Sequence, residues 1–225
     1  MVTRAFLIGG NEARTSTLLR AHEMKTDVPV TMVLANHHLN YNIFGIPYMN
    51  NQPLNVLFLC TGNSARSIFA ECLVNHLGQG RFRGHSAGSH PKGGVHPLTI
   101  RELQRHGLPT DGLRSKEVVE FEGAGSPQMH FVFTVCDQAA AEVCPIWPGH
   151  PMTAHWGVED PVAVNGDNRV KETAFTKAFQ MLRNRIAIFV ALPLESLGKS
   201  ELKEKLNEIS HVGLAVPEPT EMGDR

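Results

Sequence analysis

A chain of 225 residues with 42% hydrophobic and 19% charged side chains has the balance of a folded globular protein, one ordinary domain with extensions or two small ones. Its net charge of −1 argues against a broad nucleic-acid-binding face, and no apolar run approaches the roughly 20 residues that span a bilayer. The early run "AFLIGG" is too short for a secretory core, so the cytoplasm is the expected compartment. The four cysteines are then expected to be reactive, metal-bound or buried rather than paired as structural disulfides.

Residues 1–54 show no sustained period of 2 or 3.6 and read as an N-terminal extension, mobile or left by an upstream start, with Met49 as a natural beginning. His37 and His38 have no cysteine or histidine partner at a zinc-like spacing. From residue 55 the pattern changes. "VLFLC" (56–60) is a short continuous apolar run, as in a strand buried on both faces of a parallel sheet. Helical spacing of Ile68, Phe69, Cys72, Leu73 and Leu77 follows, closed by Gly78. A strand over 81–88, a helix over 96–107, a buried strand over 130–136, a shorter one over 152–157 and a long amphipathic helix over 171–192 complete the alternation. This order predicts an α/β fold: a single doubly wound domain over 55–195, with a short central parallel sheet flanked by helices. Residues 196–225 read as a charged helix followed by a disordered tail. A monomer is expected.

In an open parallel sheet, ligands bind beyond the carboxyl ends of the strands, where loops enter helix N-termini. Cys60 stands at such an end. The loop Thr61, Gly62, Asn63, Ser64 and Ala65 is small enough for its backbone N–H groups to converge on an anion, and Arg66 adds a planar, permanently charged fork. Cys60 shares that positive field, so its pKa is expected below the ordinary value of about 8.5. Ser64 and Ser67 are placed to hydrogen-bond the sulfur or to hold the loop. Alternatively, Cys60 is only a buried strand cysteine. Cys72 lies on the inner face of its helix and reads as core.

The stretch "LCTGNSARS" resembles the phosphate-binding loop of the low-molecular-weight protein tyrosine phosphatase superfamily. "SAG" at 86–88 and "HWGVEDP" at 155–161 are similar to that superfamily too, and the likeness spans about residues 55–191. It implies a nucleophilic Cys60, oxyanion binding by Thr61 to Ser67 including Arg66, and Asp160 as general acid. Two classes share this loop: tyrosine phosphatases and arsenate reductases. The aromatic residues that follow the acid in phosphatases are replaced here by Val162 and Ala163, leaving Trp147 or Trp156 as candidate walls for a phenyl ring. Cys136, Cys144 and the short polar segment between them resemble the arsenate reductases that work through a thiol–disulfide relay. That resemblance implies attack by Cys136 on a Cys60–arsenate adduct, resolution by Cys144, and an external reductant such as thioredoxin, glutaredoxin or a small thiol. The expected ligand is arsenate or phosphate, with no tightly bound cofactor, nucleic acid or membrane partner. A low-molecular-weight tyrosine phosphatase using Cys60, Arg66 and Asp160 is the alternative.

Two metal sites merit weighing. Zinc held by Cys136, Cys144 and His150 or His155 lacks a zinc-like spacing, so no metal is assigned. Asn63, Glu71 and Ser86 match positions that hold potassium in some relatives, with Glu117 near the place of a fourth ligand that is an Asp there; this ion is a minor expectation. Were Asp137 to Val143 a regular helix, Cys136 and Cys144 would stand about 12 Å apart along its axis. A disulfide needs Cα atoms within about 7 Å, so the segment is expected to be a short helix or loop that rearranges.

Overall fold

The structure, a computed structural model, describes residues 52–123, 125–141, 147 and 149–213. The extension up to residue 51, with His37, His38 and Met49, lies outside the described residues, as does Cys144.

Four strands form one parallel sheet in the order β2-β1-β3-β4, with β1 (Leu54–Cys60), β2 (Phe82–Gly88), β3 (Phe131–Thr134) and β4 (Met152–His155). The apolar run of β1 explains its central place, since Val56, Leu57 and Phe58 are fully buried between two neighbours. β1 pairs with β2 from Leu54↔Phe82 to Cys60↔Gly88, and with β3 from Val56↔Phe131 to Leu59↔Thr134. Beyond that last pair, the Val135 N–H still donates to Leu59 O at 2.8 Å, so Cys60 and Cys136 leave the sheet at the same edge.

The helices are α1 (Arg66–Leu77), α2 (Pro97–Arg105), α3 (Asp137–Ala141), α4 (Asn168–Val190) and α5 (Lys199–Ser210). Two of the starts are capped by a side chain. Asp167 caps α4 by accepting from Val170 N at 2.9 Å, and His96 Nδ1 caps α2 ahead of Pro97. The sequence expectations for β1, β2, α1, α2, α4 and α5 hold to within a few residues. α3 realises the first five residues of the segment expected to be a short helix or loop.

The larger core lies on the face carrying Val56, Phe58 and Phe133, against α1, α4 and α5. Rings dominate it: Phe133 stacks on Trp156 at 4.1 Å between centroids and meets Phe189 edge-on at 5.2 Å. The opposite face holds a smaller cluster of Leu57, Leu59, Ala87, Met129, Val132 and Trp147, roofed by the 3₁₀ turn at Val118–Phe121. The division drawn at residue 196 does not set α5 apart. Leu202, Leu206 and Ile209 are buried in the larger core, and Trp156 Nε1 donates to Leu206 O at 3.0 Å. Arg185, fully buried on α4, donates to the carbonyls of Trp156 and Gly157 at 3.0 Å each and to Val212 O at 3.1 Å. Among the described residues no helix is long and apolar enough to cross a membrane.

Because Phe133 touches the sheet, α4 and Trp156 together, its truncation leaves a cavity that no single neighbour can fill. Phe133→Ala is expected to cost about 3–5 kcal/mol of stability. Urea unfolding should show a lower midpoint with an unchanged slope.

Candidate active site

The loop after β1 is held from outside by its carbonyls. The segment 89–96 runs alongside it as a strap: Ser89 N donates to Cys60 O at 3.3 Å, His90 N to Thr61 O at 2.9 Å, Lys92 N to Gly62 O at 3.0 Å and His96 N to Ser64 O at 2.9 Å. The hydroxyls of Ser115 and Thr99 add bonds to Gly62 O and Ser64 O. In a trans peptide the N–H points opposite to the carbonyl it shares a plane with. Carbonyls drawn outward therefore turn amide N–H groups toward the sulfur, and the Asn63 N–H meets Cys60 Sγ at 3.2 Å.

The turn needs Asn63 at φ 39°, in the left-handed region that asparagine tolerates better than most residues. Its side chain fixes it there. Nδ2 donates to Ser67 Oγ at 2.8 Å and Ser86 Oγ at 2.9 Å, while Oδ1 accepts from Lys116 N at 2.6 Å. Gly88 allows this closeness, since a Cβ there would lie 2.5 Å from Thr61 O and 3.0 Å from the Asn63 backbone. Ser67, already an acceptor from Asn63, is left to donate its O–H to Cys60 Sγ at 2.9 Å.

A cavity of about 270 Å³ opens over this loop, lined by Cys60, Thr61, Gly62, Ser64, Ala65 and Arg66 from the loop side. Asp160, Val162 and Ala163 form the opposite wall, joined by Lys92 and Gln138. Arg66 Nη1 donates to Val158 O at 3.0 Å, and Nη2 pairs with Asp160 Oδ2 at 3.1 Å. Asn63 and Ser67 do not line the cavity; both are fully buried behind the loop. Trp156 lies wholly in the larger core and Trp147 in the smaller one, so neither provides a wall for a phenyl ring.

The expected low pKa of Cys60 is not what this site gives. Burial pushes the thiol up, ahead of the opposing pull of the Ser67 hydrogen bonds and the Arg66 charge, and Cys136 adds a further upward push. Arg66 is not a free positive charge, because Asp160 pairs with it, and Cys60, a residue only 3% exposed, has lost the water that would stabilise a thiolate. Cys136, equally buried, has its Sγ 3.5 Å from Thr61 Oγ1 and 3.3 Å from Ala139 N. Directly after it, Asp137 pairs with His155 Nε2 at 2.9 Å, whose Nδ1 meets Thr134 Oγ1 at 2.8 Å. Cys72 is core, its thiol pushed up to about 12 mainly by burial.

Behind the loop, Asn63, Ser86 and Glu71 do converge, with Ser86 Oγ donating to Glu71 Oε2. Their charge partner is a residue the sequence reading passed over. The Lys116 ammonium, on a side chain 9% exposed, bonds Glu71 Oε2 at 3.0 Å and Arg114 O at 3.2 Å. Glu117 is exposed and joins only through its backbone, which pairs with Gly88. The positive charge that a potassium ion would bring to Glu71 is already present as lysine. Lys116 and Lys92 reach the site through backbone pairing with segments far away in sequence, so no local pattern announces them.

A buried cysteine at the carboxyl edge of a parallel sheet, ringed by backbone amides and followed by an arginine at the next helix, is the arrangement of a thiol-centred, phosphatase-like α/β fold. The profile of the low molecular weight phosphotyrosine protein phosphatase family matches residues 55–206, and the chain belongs to that family. Similar relatives include the arsenate reductases of Shouchella clausii, 28% identical over 134 residues, and of Bacillus licheniformis, 30% identical over 135; each alignment covers 60% of this chain and 93% of the relative. Among solved structures, the arsenate reductase of Archaeoglobus fulgidus is 23% identical with a TM-score of 0.49, covering 61% of this chain and 99% of that one. The tyrosine phosphatase Wzb from Escherichia coli K30 is 21% identical, also with a TM-score of 0.49, covering 60% and 95%.

Ser67 makes the largest contribution lowering the Cys60 pKa. A hydrogen bond from Ser67 favours the thiolate, so Ser67→Ala should move the alkylation profile of Cys60 to higher pH. The sign for stability is the reverse of the usual carboxylate case. The folded state holds this thiol proton more tightly than the unfolded one, so the contribution is complete below about pH 8.5 and fades as pH rises through the folded value. Iodoacetamide labelling rates against pH, with urea midpoints alongside, check both statements.

Proposed function

We propose that this protein reduces arsenate to arsenite through Cys60 and a thiol–disulfide relay. The observation that carries the reading is a second buried thiol at the same sheet edge: Cys136 lies against Thr61 of the loop and close enough to Cys60 to raise its pKa. Phosphoester hydrolysis has no need of that thiol. The cavity also suits a bare oxyanion, since among the described residues its lining includes no aromatic ring. The relatives named arsenate reductases, matched over 93% of their length, support the same reading.

In this mechanism the loop amides and Arg66 hold arsenate, with Asp160 shifting from Arg66 to the departing oxygen. The Cys60 thiol, kept protonated by burial, gives up its proton as it attacks the arsenate dianion, and the Asp160 carboxylate released from Arg66 relays that proton to the departing hydroxyl. An S–As bond forms, the As–O bond breaks, and that oxygen leaves as water. Cys136 then attacks the Cys60 sulfur. An S–S bond forms, the S–As bond breaks, and its electron pair stays on arsenic, which departs as arsenite. Cys144 attacks Cys136 in turn, freeing Cys60, and an external dithiol such as thioredoxin or glutaredoxin, or a small thiol, returns the two electrons. No resident cofactor takes part, and a reducing cytoplasm suits the cycle.

Hydrolysis of phosphotyrosine is the second reading, favoured by the family match and sharing Cys60, Arg66 and Asp160. One experiment separates the two. Mass spectrometry after a single arsenate turnover should find arsenite and a Cys136–Cys144 disulfide. Cys136→Ser should yield no arsenite while leaving aryl phosphate hydrolysis within about twofold. Arsenite formation that survives Cys136→Ser would sink the relay.

A further inference from the structure

Lys92 stands at the mouth of the cavity and no step above uses it. Its position is built rather than incidental. The backbone N–H donates to Gly62 O at 3.0 Å, which fixes its Cα against the loop. From there the side chain runs over Gly62, with Cγ 3.1 Å and Cε 3.6 Å from where a Cβ on that glycine would sit. It then lines the same cavity as Cys60, Arg66 and Asp160.

Charge gives this placement its meaning. Arg66 and Asp160 pair at 3.1 Å, so together they offer a dianion no net attraction. Among the described residues Lys92 is the other cation on the cavity's lining, and it adds positive charge there, where low-dielectric walls strengthen the field. A tetrahedral ion seated with three oxygens in the loop turns its fourth outward. In free arsenate or phosphate that oxygen is an acceptor. In an ester it carries the organic group, which would meet the lysine stem lying over Gly62.

We infer that Lys92 is a specificity-determining residue whose ammonium engages the outward oxygen of a free tetrahedral dianion and favours it over anions carrying an organic group at that position. The inference deepens the proposed function and rests on its reading of the Cys60 loop as an arsenate site.

The test titrates the full chain and its Lys92→Met and Lys92→Arg variants with inorganic phosphate and with phenylphosphonate, which lacks the fourth oxygen. Binding is followed by the amide resonances of Thr61 and Gly62, and arsenate kinetics run in parallel. Lys92→Met should weaken phosphate binding about tenfold, or about 1.4 kcal/mol, and flatten its salt dependence. The same variant should raise the KM for arsenate by a similar factor with kcat changed less than about twofold, and shift phenylphosphonate affinity less than about twofold. Lys92→Arg should stay within about threefold of the parent throughout. Unchanged phosphate affinity in a Lys92→Met protein of unaltered melting temperature would overturn the inference, and so would an equal loss for both ligands. Should the parent protein form no arsenite, the proposed reaction fails, yet the two titrations still decide the role of Lys92.

Discussion

The site depends on where the loop's carbonyls point. Cys60, Thr61, Gly62 and Ser64 each give their carbonyl to the strap 89–96, and the bond to Gly62 O orients the peptide plane whose Asn63 N–H meets the sulfur. The polar network behind the loop follows from the same constraint. Asn63 can hold its left-handed conformation because Ser67, Ser86 and Lys116 satisfy its side chain, and the Glu71–Lys116 pair supports those residues from behind. Preorganisation here is the work of groups that never touch a ligand.

The thiol environment has a chemical logic that a positive field alone would not supply. A permanent thiolate in an amide cradle would repel an incoming dianion. In the proposed reaction a buried thiol would admit the dianion first and lose its proton afterwards, so that charge is conserved within the cavity. The Asp160 carboxylate, paired with Arg66 at 3.1 Å, belongs to the same proposed balance, since a ligand that claims the guanidinium would free it.

Much of the fold was legible in the chain. The apolar run 56–60, the 3.6-residue spacing in α1 and α4, and the regular alternation of strands with helices specify a parallel α/β sheet without reference to anything distant. Cys60 and Arg66 were legible because their spacing spans one loop at a strand end. What escaped is what long-range pairing creates. Lys92 and Lys116 sit among ordinary surface-type residues, and only the contacts to Gly62 and Asn63 bring them to the loop. The Cys60 pKa was misjudged for a related reason: sequence displays charges but not the burial and counter-charges that outweigh them. The packing of α5 was not legible because a helix so charged hides how completely Leu202, Leu206 and Ile209 are covered.

The buried guanidinium of Arg185 extends that last point. It binds the chain at Trp156 and Gly157, just before the turn that carries Asp160, and again at Val212, just after α5. Two segments more than fifty positions apart thus share one fully buried cation, held through carbonyl oxygens. Fraying at the end of α5 would withdraw a carbonyl from that cation and loosen its grip on the turn leading to the acid. Helix α5 is therefore mechanically in series with the cavity wall that carries Asp160: a change near Val212 reaches that wall without passing through the sheet.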